Sequence, residues 1–310
     1  MMALHKDNSF AGELLINEPL ARYTTWRVGG PAERLYRPVN LDDLVMFIRQ
    51  LPEGEDIFWL GLGSNLLVRD GGISGTVIAT QGALNEIGNL DNGYVRVEAG
   101  VSCARVARFC RDHSLAGVEF LAGIPGTMGG ALAMNAGAFG GETWRHVESV
   151  ETIDHTGRLT ERNASEYKIG YRSVRGPENE WFVAAHLRLD SSKKEKQDEI
   201  KQNIKALLEE RGTRQPIGLP SCGSVFRNPD GYYAAELIEQ SGLKGLCEGG
   251  ACVSEKHANF IVNTGNATAS DIESLINRVV NTVIEKQGVR LEKEVCIVGE
   301  PHLPGGDERA

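Results

Sequence analysis

Gly61-Leu62-Gly63-Ser64-Asn65-Leu66-Leu67 is the stretch on which the fold turns. It follows directly on Ile57-Phe58-Trp59-Leu60, a short apolar run that reads as a strand. A strand opening into a glycine-rich loop presents successive backbone N–H groups to an anion, because no side chain stands in the way. The GxGxxG fingerprint needs a third glycine where this loop has Leu66, so a Rossmann domain is disfavoured. There is no GxxxxGK[ST], GxSxG or HExxH either.

A second loop has the same character. It is Gly123-Ile124-Pro125-Gly126-Thr127-Met128-Gly129-Gly130, followed by Asn135-Ala136-Gly137-Ala138. Taken alone, either loop also reads as an ordinary tight turn. Two of them in one half, each with an Asn or Ser donor after it, point to a bound dinucleotide. The candidate cofactor contacts are Gly61, Gly63, Ser64, Asn65 and Leu66, then Gly123, Pro125, Gly126, Thr127, Gly129, Gly130, Asn135, Gly137 and Ala138.

Composition narrows the class. The chain has 310 residues, enough for two or three domains, with 41% hydrophobic and 24% charged residues. Its 37 glycines are about 12% of the chain, against roughly 7% in ordinary proteins. A net charge of -9 argues against nucleic acid as a partner. No apolar run reaches the roughly 18 residues of a membrane span. The N-terminus lacks a signal-peptide core, so the expected location is the cytoplasm. The six cysteines, Cys103, Cys110, Cys222, Cys247, Cys252 and Cys296, contain no CxxC pair, and all are expected to be reduced thiols.

Strands are expected at 33–37, 57–60, 76–80, 94–98, 147–154, 181–189 and 289–298. Asn40 and Ser102 are placed to cap helices. A helix after 197 carries Ile200, Ile204, Leu207 and Leu208 on one face. Another covers about 232–240 and is closed by Gly242. A strongly amphipathic one carries Ile272, Leu275, Ile276, Val279, Val280, Val283 and Ile284 and stops at Gly288. Composition shifts at Ser191, which marks a domain boundary. The first twenty residues show no strong period and read as an arm, and the last ten read as a disordered tail.

Three further segments carry chemistry. Ser221-Cys222-Gly223-Ser224-Val225-Phe226-Arg227-Asn228-Pro229 offers a hydroxyl, Gly170-Tyr171-Arg172-Ser173 a fixed cation, and Leu291-Glu292-Lys293-Glu294-Val295 a carboxylate. Together such groups polarise an α,β-unsaturated acid and deliver a proton to it. Without that context Ser224 is a turn residue, Arg172 a surface cation, and Glu294 one charge in an exposed run. Alternation along 289–298 puts Glu294 on the side of Cys296 and Val298, facing inward.

These segments occur in order with Thr24-Thr25-Trp26-Arg27-Val28-Gly29-Gly30 and His257-Ala258-Asn259-Phe260-Ile261-Val262-Asn263. The series resembles the UDP-N-acetylenolpyruvoylglucosamine reductase family over about residues 20–300. The short spacing from Arg172 to Ser224 is similar to that of its compact subclass, which lacks an extra tyrosine-bearing loop. The resemblance implies an α+β fold, with an FAD-binding domain of the vanillyl-alcohol-oxidase type in two α+β subdomains and a smaller α+β substrate-binding domain. In this sequence those would be an arm at 1–20, the FAD domain at 21–190 with a break near 82, the substrate domain at 191–300, and a tail at 301–310.

The resemblance also implies an activity. FAD would be held non-covalently, NADPH would be the co-substrate, and a UDP-sugar enolpyruvyl ether would be reduced in peptidoglycan precursor synthesis. Ser224 matches the proton donor, Arg172 the residue stabilising the carboxylate-enolate, and Glu294 the catalytic carboxylate. Tyr171, Arg211, Arg214, Asn228 and Asn259 are candidate substrate contacts, with Arg211 and Arg214 for the diphosphate. A solvated helix end explains those two arginines equally well, and His257 fits a core histidine. No metal, nucleic-acid or membrane partner is implied, and a monomer is expected. The alternative is a flavin-dependent alcohol oxidase of the same fold superfamily, which would need the glycine loops but not Ser224, Arg172 and Glu294 together.

Overall fold

A computed structural model describes residues 10–90, 93–191 and 197–302. They form two compact units, one of residues 10–15, 35–61 and 75–208, the other of 16–34, 62–74 and 209–302. Of the expected tail at 301–310, residues 303–310 lie outside the described residues.

The first unit is built on an antiparallel sheet of β6 (Ile87–Asn89), β7 (Tyr94–Glu98), β11 (Val147–Asp154), β12 (Leu159–Asn163) and β15 (Glu180–Arg188), in the order β12-β11-β15-β7-β6. Alternation explains β7: Val95 and Val97 are buried while Tyr94 and Arg96 are half-buried on the other face. α2 (Cys103–Asp112) starts where Ser102 accepts from the N–H of Arg105, and it buries Val106, Ala107 and Cys110 in the same core. α1 (Leu41–Ile48) starts likewise, the side chain of Asn40 accepting from Asp43 N–H at 2.9 Å. Its Leu44, Phe47 and Ile48 pack with Tyr36 and Ile78.

β1 (Glu13–Pro19), β2 (Pro31–Arg37), β5 (Ile73–Ala79) and β3 (Ile57–Leu60) form a sheet in that order, with β3 parallel to β5. Three small ladders complete the first unit. They are β9 (Gly137–Ala138) with β10 (Gly141–Glu142), β13 (Lys168–Gly170) with β14 (Ser173–Arg175), and β8 (Leu115–Ala116) with β16 (Asp190–Ser191). The short α3 (Met128–Ala133) begins at Thr127. α4 (Gln197–Arg214) buries Ile200 and Ile204.

The second unit pairs β4 (Leu66–Val68) in parallel with β20 (Cys296–Val298). It adds a sheet of order β17 (Cys247–Glu248), β18 (Ala251–Val253), β19 (Ile261–Asn263), together with α5 (Ala234–Gln240) and α6 (Ala269–Gln287). α6 is bounded as its sequence requires, by a Thr268–Asp271 capping box and by Gly288 at φ 69°. It buries Ile272, Leu275, Ile276, Val279 and Val283, each worth roughly 1.5–3 kcal/mol of transfer free energy.

Several expectations need correction. Residues 13–19 are a strand, because they find a partner in β2. Leu208 is exposed, so the apolar face of α4 ends at Leu207. Of 289–298 only Cys296–Val298 is a ladder strand. Glu294 and Val295 both donate to Val225 O, at 2.8 and 3.3 Å, and this two-to-one pairing breaks the alternation. Leu291 and Val295 are therefore the buried residues, Cys296 is exposed and Glu294 is half-buried. Cys247 and Cys252 form a disulfide, because the β17–β18 hairpin sets them directly opposite each other. The other four cysteines are free.

One ion cluster spans the first unit's sheet. Arg96 holds Glu151 with two bonds of 2.7 Å, His186 Nε2 lies 2.8 Å from Glu151, and Arg96 also reaches Glu98 at 3.3 Å. The Arg96 guanidinium holds the Glu151 carboxyl below its ordinary range, with burial opposing and His186 assisting. A depressed carboxyl stabilises the fold above its unfolded pKa, and that contribution fades as pH falls through the folded value. Glu151→Gln should therefore lower the melting temperature at pH 7 and flatten its decline below about pH 4.5. Melting curves from pH 7 to 3 test this, and equally steep declines in both proteins would refute it.

Candidate functional site

Ser224 lies in a segment of the second unit, 220–229, with no regular secondary structure beyond isolated bridges. Such a segment needs partners for its buried backbone groups. Asn259, itself 4% exposed, supplies two: its Oδ1 accepts from Phe226 N–H at 3.0 Å and its Nδ2 donates to Phe226 O at 2.8 Å. The backbone O of Asn259 accepts from Val225 N–H at 2.9 Å. Ser221 bridges Val262, and Arg227 N–H donates to Glu292 O at 2.9 Å. Gly223 sits at φ 71°, the left-handed conformation in which the chain turns to present Ser224. Ser224 is half-buried, between buried Val225 and Cys222.

Glu294 adjoins this turn. Its N–H donates to Val225 O at 2.8 Å, and its carbonyl accepts from Asn65 Nδ2 at 3.0 Å. A hydroxyl and a carboxylate are thus carried on bonded neighbouring segments. Cys222 is fully buried, which pushes its thiol well above the ordinary range.

The first glycine loop leads into β4. Among the described residues, the backbone N–H groups of Leu62, Gly63, Ser64 and Asn65 donate to no protein acceptor. In the first unit, the N–H of Gly126 likewise has no protein acceptor, and Thr127 caps α3 through Gly130 N–H. A run of unspent N–H donors is what an anionic diphosphate needs, so residues 62–65 fit a dinucleotide cofactor, whereas the second loop spends the N–H groups of Met128 and Gly129 on Val101 O and Ala99 O. The glycines themselves answer to the protein. A Cβ on Gly63 would lie 2.1 Å from Tyr23 O, one on Gly61 2.5 Å from Thr127 Oγ1, and one on Gly129 3.0 Å from Ala99 Cβ. On exposed Gly130 a Cβ would meet Thr127 Oγ1 at an ordinary contact distance of 3.8 Å. Leu66 is buried and Pro125 is exposed at its loop's tip.

Arg172 is in the first unit, on the two-residue turn between β13 and β14, at φ 50°. Its Nη2 donates to Gly137 O at 2.9 Å and its guanidinium carbon lies 5.5 Å from the ring centroid of exposed Tyr171. Asn135 ties this hairpin down. Its Nδ2 donates to Gly170 O and to Glu142 Oε2, both at 3.2 Å, while its Oδ1 accepts from Trp144 N–H at 3.1 Å. The Asn135 side chain is therefore committed to the protein, and Gly137 with Ala138 forms the strand on which Arg172 rests. Sequence reading missed Glu142. No motif or spacing marks it, because its role exists only once the two hairpins meet.

The remaining candidates separate. Arg211 is half-buried, its Nε donating to Gln215 Oε1 at 2.9 Å, and burial lowers its pKa. Arg214 is exposed and pairs with Glu210 at 3.0 Å, one helical turn back. Asn228 Oδ1 accepts from Ala234 N–H at 3.0 Å and so caps α5. His257 has its pKa lowered by burial, accepts from Asn259 N–H at 3.3 Å and packs edge-on against Phe260, as a core histidine does. The described residues contain no group of three or more His, Cys, Asp or Glu able to hold a metal ion. No described helix is long and apolar enough to cross a membrane.

Residues 32–162 match the family model of an FAD binding domain, and residues 215–298 that of the UDP-N-acetylenolpyruvoylglucosamine reductase C-terminal domain. Among individual proteins, the UDP-N-acetylenolpyruvoylglucosamine reductase of Alkalilimnicola ehrlichii is 59% identical, over 93% of this chain and 96% of its own. The reductase of Methylococcus capsulatus is 58% identical, over 93% and 94%. The crystal structure of the Thermus caldophilus reductase superposes with a TM-score of 0.78 at 33% identity, covering 93% of this chain and 98% of that one.

Removing the Asn259 carboxamide leaves the Phe226 N–H and C=O without partners, at roughly 1–3 kcal/mol each. Asn259→Ala should release the segment that buries Cys222. Peptide-resolved alkylation should then find Cys222 labelled at least about tenfold faster than in the parent protein. An unchanged labelling rate would show that Asn259 does not hold the turn.

Proposed function

The chain belongs to the UDP-N-acetylenolpyruvoylglucosamine reductase family, and from that membership we propose that it reduces UDP-N-acetylenolpyruvoylglucosamine to UDP-N-acetylmuramate with NADPH as hydride source, in the cytoplasm and as a monomer. It is an oxidoreductase and a flavoprotein of peptidoglycan synthesis, of α+β fold, with FAD as its cofactor. The observation that carries the proposal is the half-buried Ser224 turn, clamped by Asn259 and joined through Val225 O to the segment bearing Glu294.

When bound, FAD supplies the two-electron chemistry that carries hydride from NADPH to the enolpyruvyl double bond. In the second unit, residues 62–65 would offer its diphosphate N–H groups that the protein leaves unspent; in the first, Gly126 N–H would do so, since those of Met128, Gly129 and Gly130 are taken by Val101 O, Ala99 O and Thr127 Oγ1. Arg172, held by Gly137 O, directs a guanidinium at the substrate carboxylate, where charge builds as the double bond is reduced. Ser224 Oγ gives its proton to the carbon next to that carboxylate. A serine hydroxyl is a weak acid, so it donates only to a strongly basic enolate. Glu294 is assigned to polarise the reacting group from the segment bonded to the Ser224 turn.

Arg211 suits the UDP diphosphate better than Arg214, because desolvation strengthens its field while Arg214 is neutralised by Glu210 in water. Tyr171 and Asn228 remain candidate substrate contacts. Asn259 acts through the Ser224 turn. Relatives sharing a reductase name over 93% of the chain favour reduction over the oxidase alternative.

Gly130→Leu tests the cofactor site, since Gly130 is exposed and a Cβ there meets Thr127 Oγ1 at an ordinary 3.8 Å. The variant should fold with unchanged melting behaviour in the apo state and lose flavin absorbance. Retention of FAD would remove the 126–130 segment from the diphosphate site. Gly63 is unsuited to this test because its Cβ would strike Tyr23 O.

Ser224→Ala separates the two half-reactions. Flavin bleaching by NADPH should proceed at a near-normal rate. Reoxidation by UDP-N-acetylenolpyruvoylglucosamine should slow by roughly 10²–10⁴-fold, the range for loss of a general acid. Stopped-flow absorbance reads both steps, and equal slowing of the two would end the proton-donor assignment.

A further inference from the structure

The disulfide of the second unit lies outside the machinery above and has its own chemistry. Cys247 and Cys252 face each other across the β17–β18 hairpin, Cα atoms 4.1 Å apart, with Gly249 and Gly250 making the turn. Cys247 is exposed and Cys252 half-buried. An exposed sulfur on a surface hairpin is open to attack by a thiolate. Gly245 O lies 3.4 Å from Cys247 Sγ, an acceptor ready for the thiol that reduction would leave. In a reducing compartment, disulfides that form are transient, catalytic or redox-sensing.

The hairpin is also wired to the Ser224 turn. Cys252 is opposite Val262 in the β18–β19 ladder, and Val262 is opposite Ser221 in the adjoining bridge. Asn263 N–H donates to Pro220 O at 2.9 Å. One row of the sheet therefore runs Cys247, Cys252, Val262, Ser221, and Ser221 lies three residues before Ser224. The covalent bond closes the outer end of the row whose inner end anchors the turn.

We propose that Cys247–Cys252 is a thiol–disulfide exchange site whose substrate is a dithiol, and that its redox state sets the mobility of the Ser224 turn. A thiolate of the dithiol attacks Cys247 Sγ, forming a mixed disulfide, and Cys252 leaves as a thiolate that takes up a proton. The second thiol of the dithiol then displaces Cys247, which is protonated in turn. The protein gains two electrons and two protons, and the dithiol leaves as a disulfide.

The test uses the full chain, without denaturant, equilibrated across mixtures of reduced and oxidised dithiothreitol. Acid quenching, alkylation and peptide mass analysis read the thiols. Cys247 and Cys252 should become labelled together as the mixture turns reducing and be protected again as it turns oxidising. Thiols that stay free in the most oxidising mixture, or a bond untouched in the most reducing one, would overturn the site. Hydrogen exchange reads the coupling. The Val225 and Phe226 amides should exchange roughly tenfold faster in the reduced protein, and Cys252→Ser should show the fast rate in both mixtures. Identical rates in oxidised and reduced parent protein would overturn the coupling. Neither readout involves flavin or UDP-sugar, so these outcomes stand apart from the reductase reading.

Discussion

The two-ended grip of the Asn259 carboxamide on Phe226 is the constraint on which the serine turn depends. A segment with a glycine at positive φ and no ladder of its own is not rigid through its own hydrogen bonds. A primary amide copies the donor–acceptor pair of a neighbouring strand, so one side chain replaces a missing ladder rung. The turn is then fixed from three sides, by Asn259, by Glu294 N–H on Val225 O, and by Val262 across from Ser221. Val225 and Phe226 are buried, while Ser224 beside them is half-buried.

The same device recurs in the first unit. Asn135, 2% exposed, ties Gly170, Glu142 and Trp144 together, and the Arg172 turn rests on Gly137 beside it. Arg172 sits at φ 50°, a conformation that a long side chain adopts only when its surroundings hold it there. Both proposed reactive side chains, the serine and the arginine, therefore stand on tight turns immobilised by a buried asparagine. Preorganised groups act on a developing charge without spending free energy on reorientation.

The glycine loops show two pressures acting on one sequence. Gly61, Gly63 and Gly129 are small because the protein's own atoms lie within about contact distance of an absent Cβ. The N–H groups of 62–65 remain unspent all the same. Tight self-packing thus fixes the shape of a loop whose N–H groups find no acceptor among the described residues.

Much of this was legible in the chain itself. The caps of α1 and α2, the αL stop of α6 at Gly288, and the strands Ile57–Leu60, Tyr94–Glu98 and Val147–Asp154 stand where local rules place them, because each depends on neighbours within a few residues. The glycine loops, Ser224, Arg172 and Glu294 were also legible as candidates, through residue type and order. Other features were settled only by partners distant in sequence. Residues 13–19 become a strand because β2 is available, and Glu294 is only half-buried because Val225 O takes two donors and breaks the alternation. Glu142 matters only where Asn135 reaches it. The cysteine pair was invisible as a disulfide, since a separation of five residues allows a bond only if a hairpin sets the two face to face, and that register belongs to the sheet. Local sequence determines which elements can form, whereas the pairing of remote segments decides which side chains meet, because contact free energy is realised only when both partners are held in place.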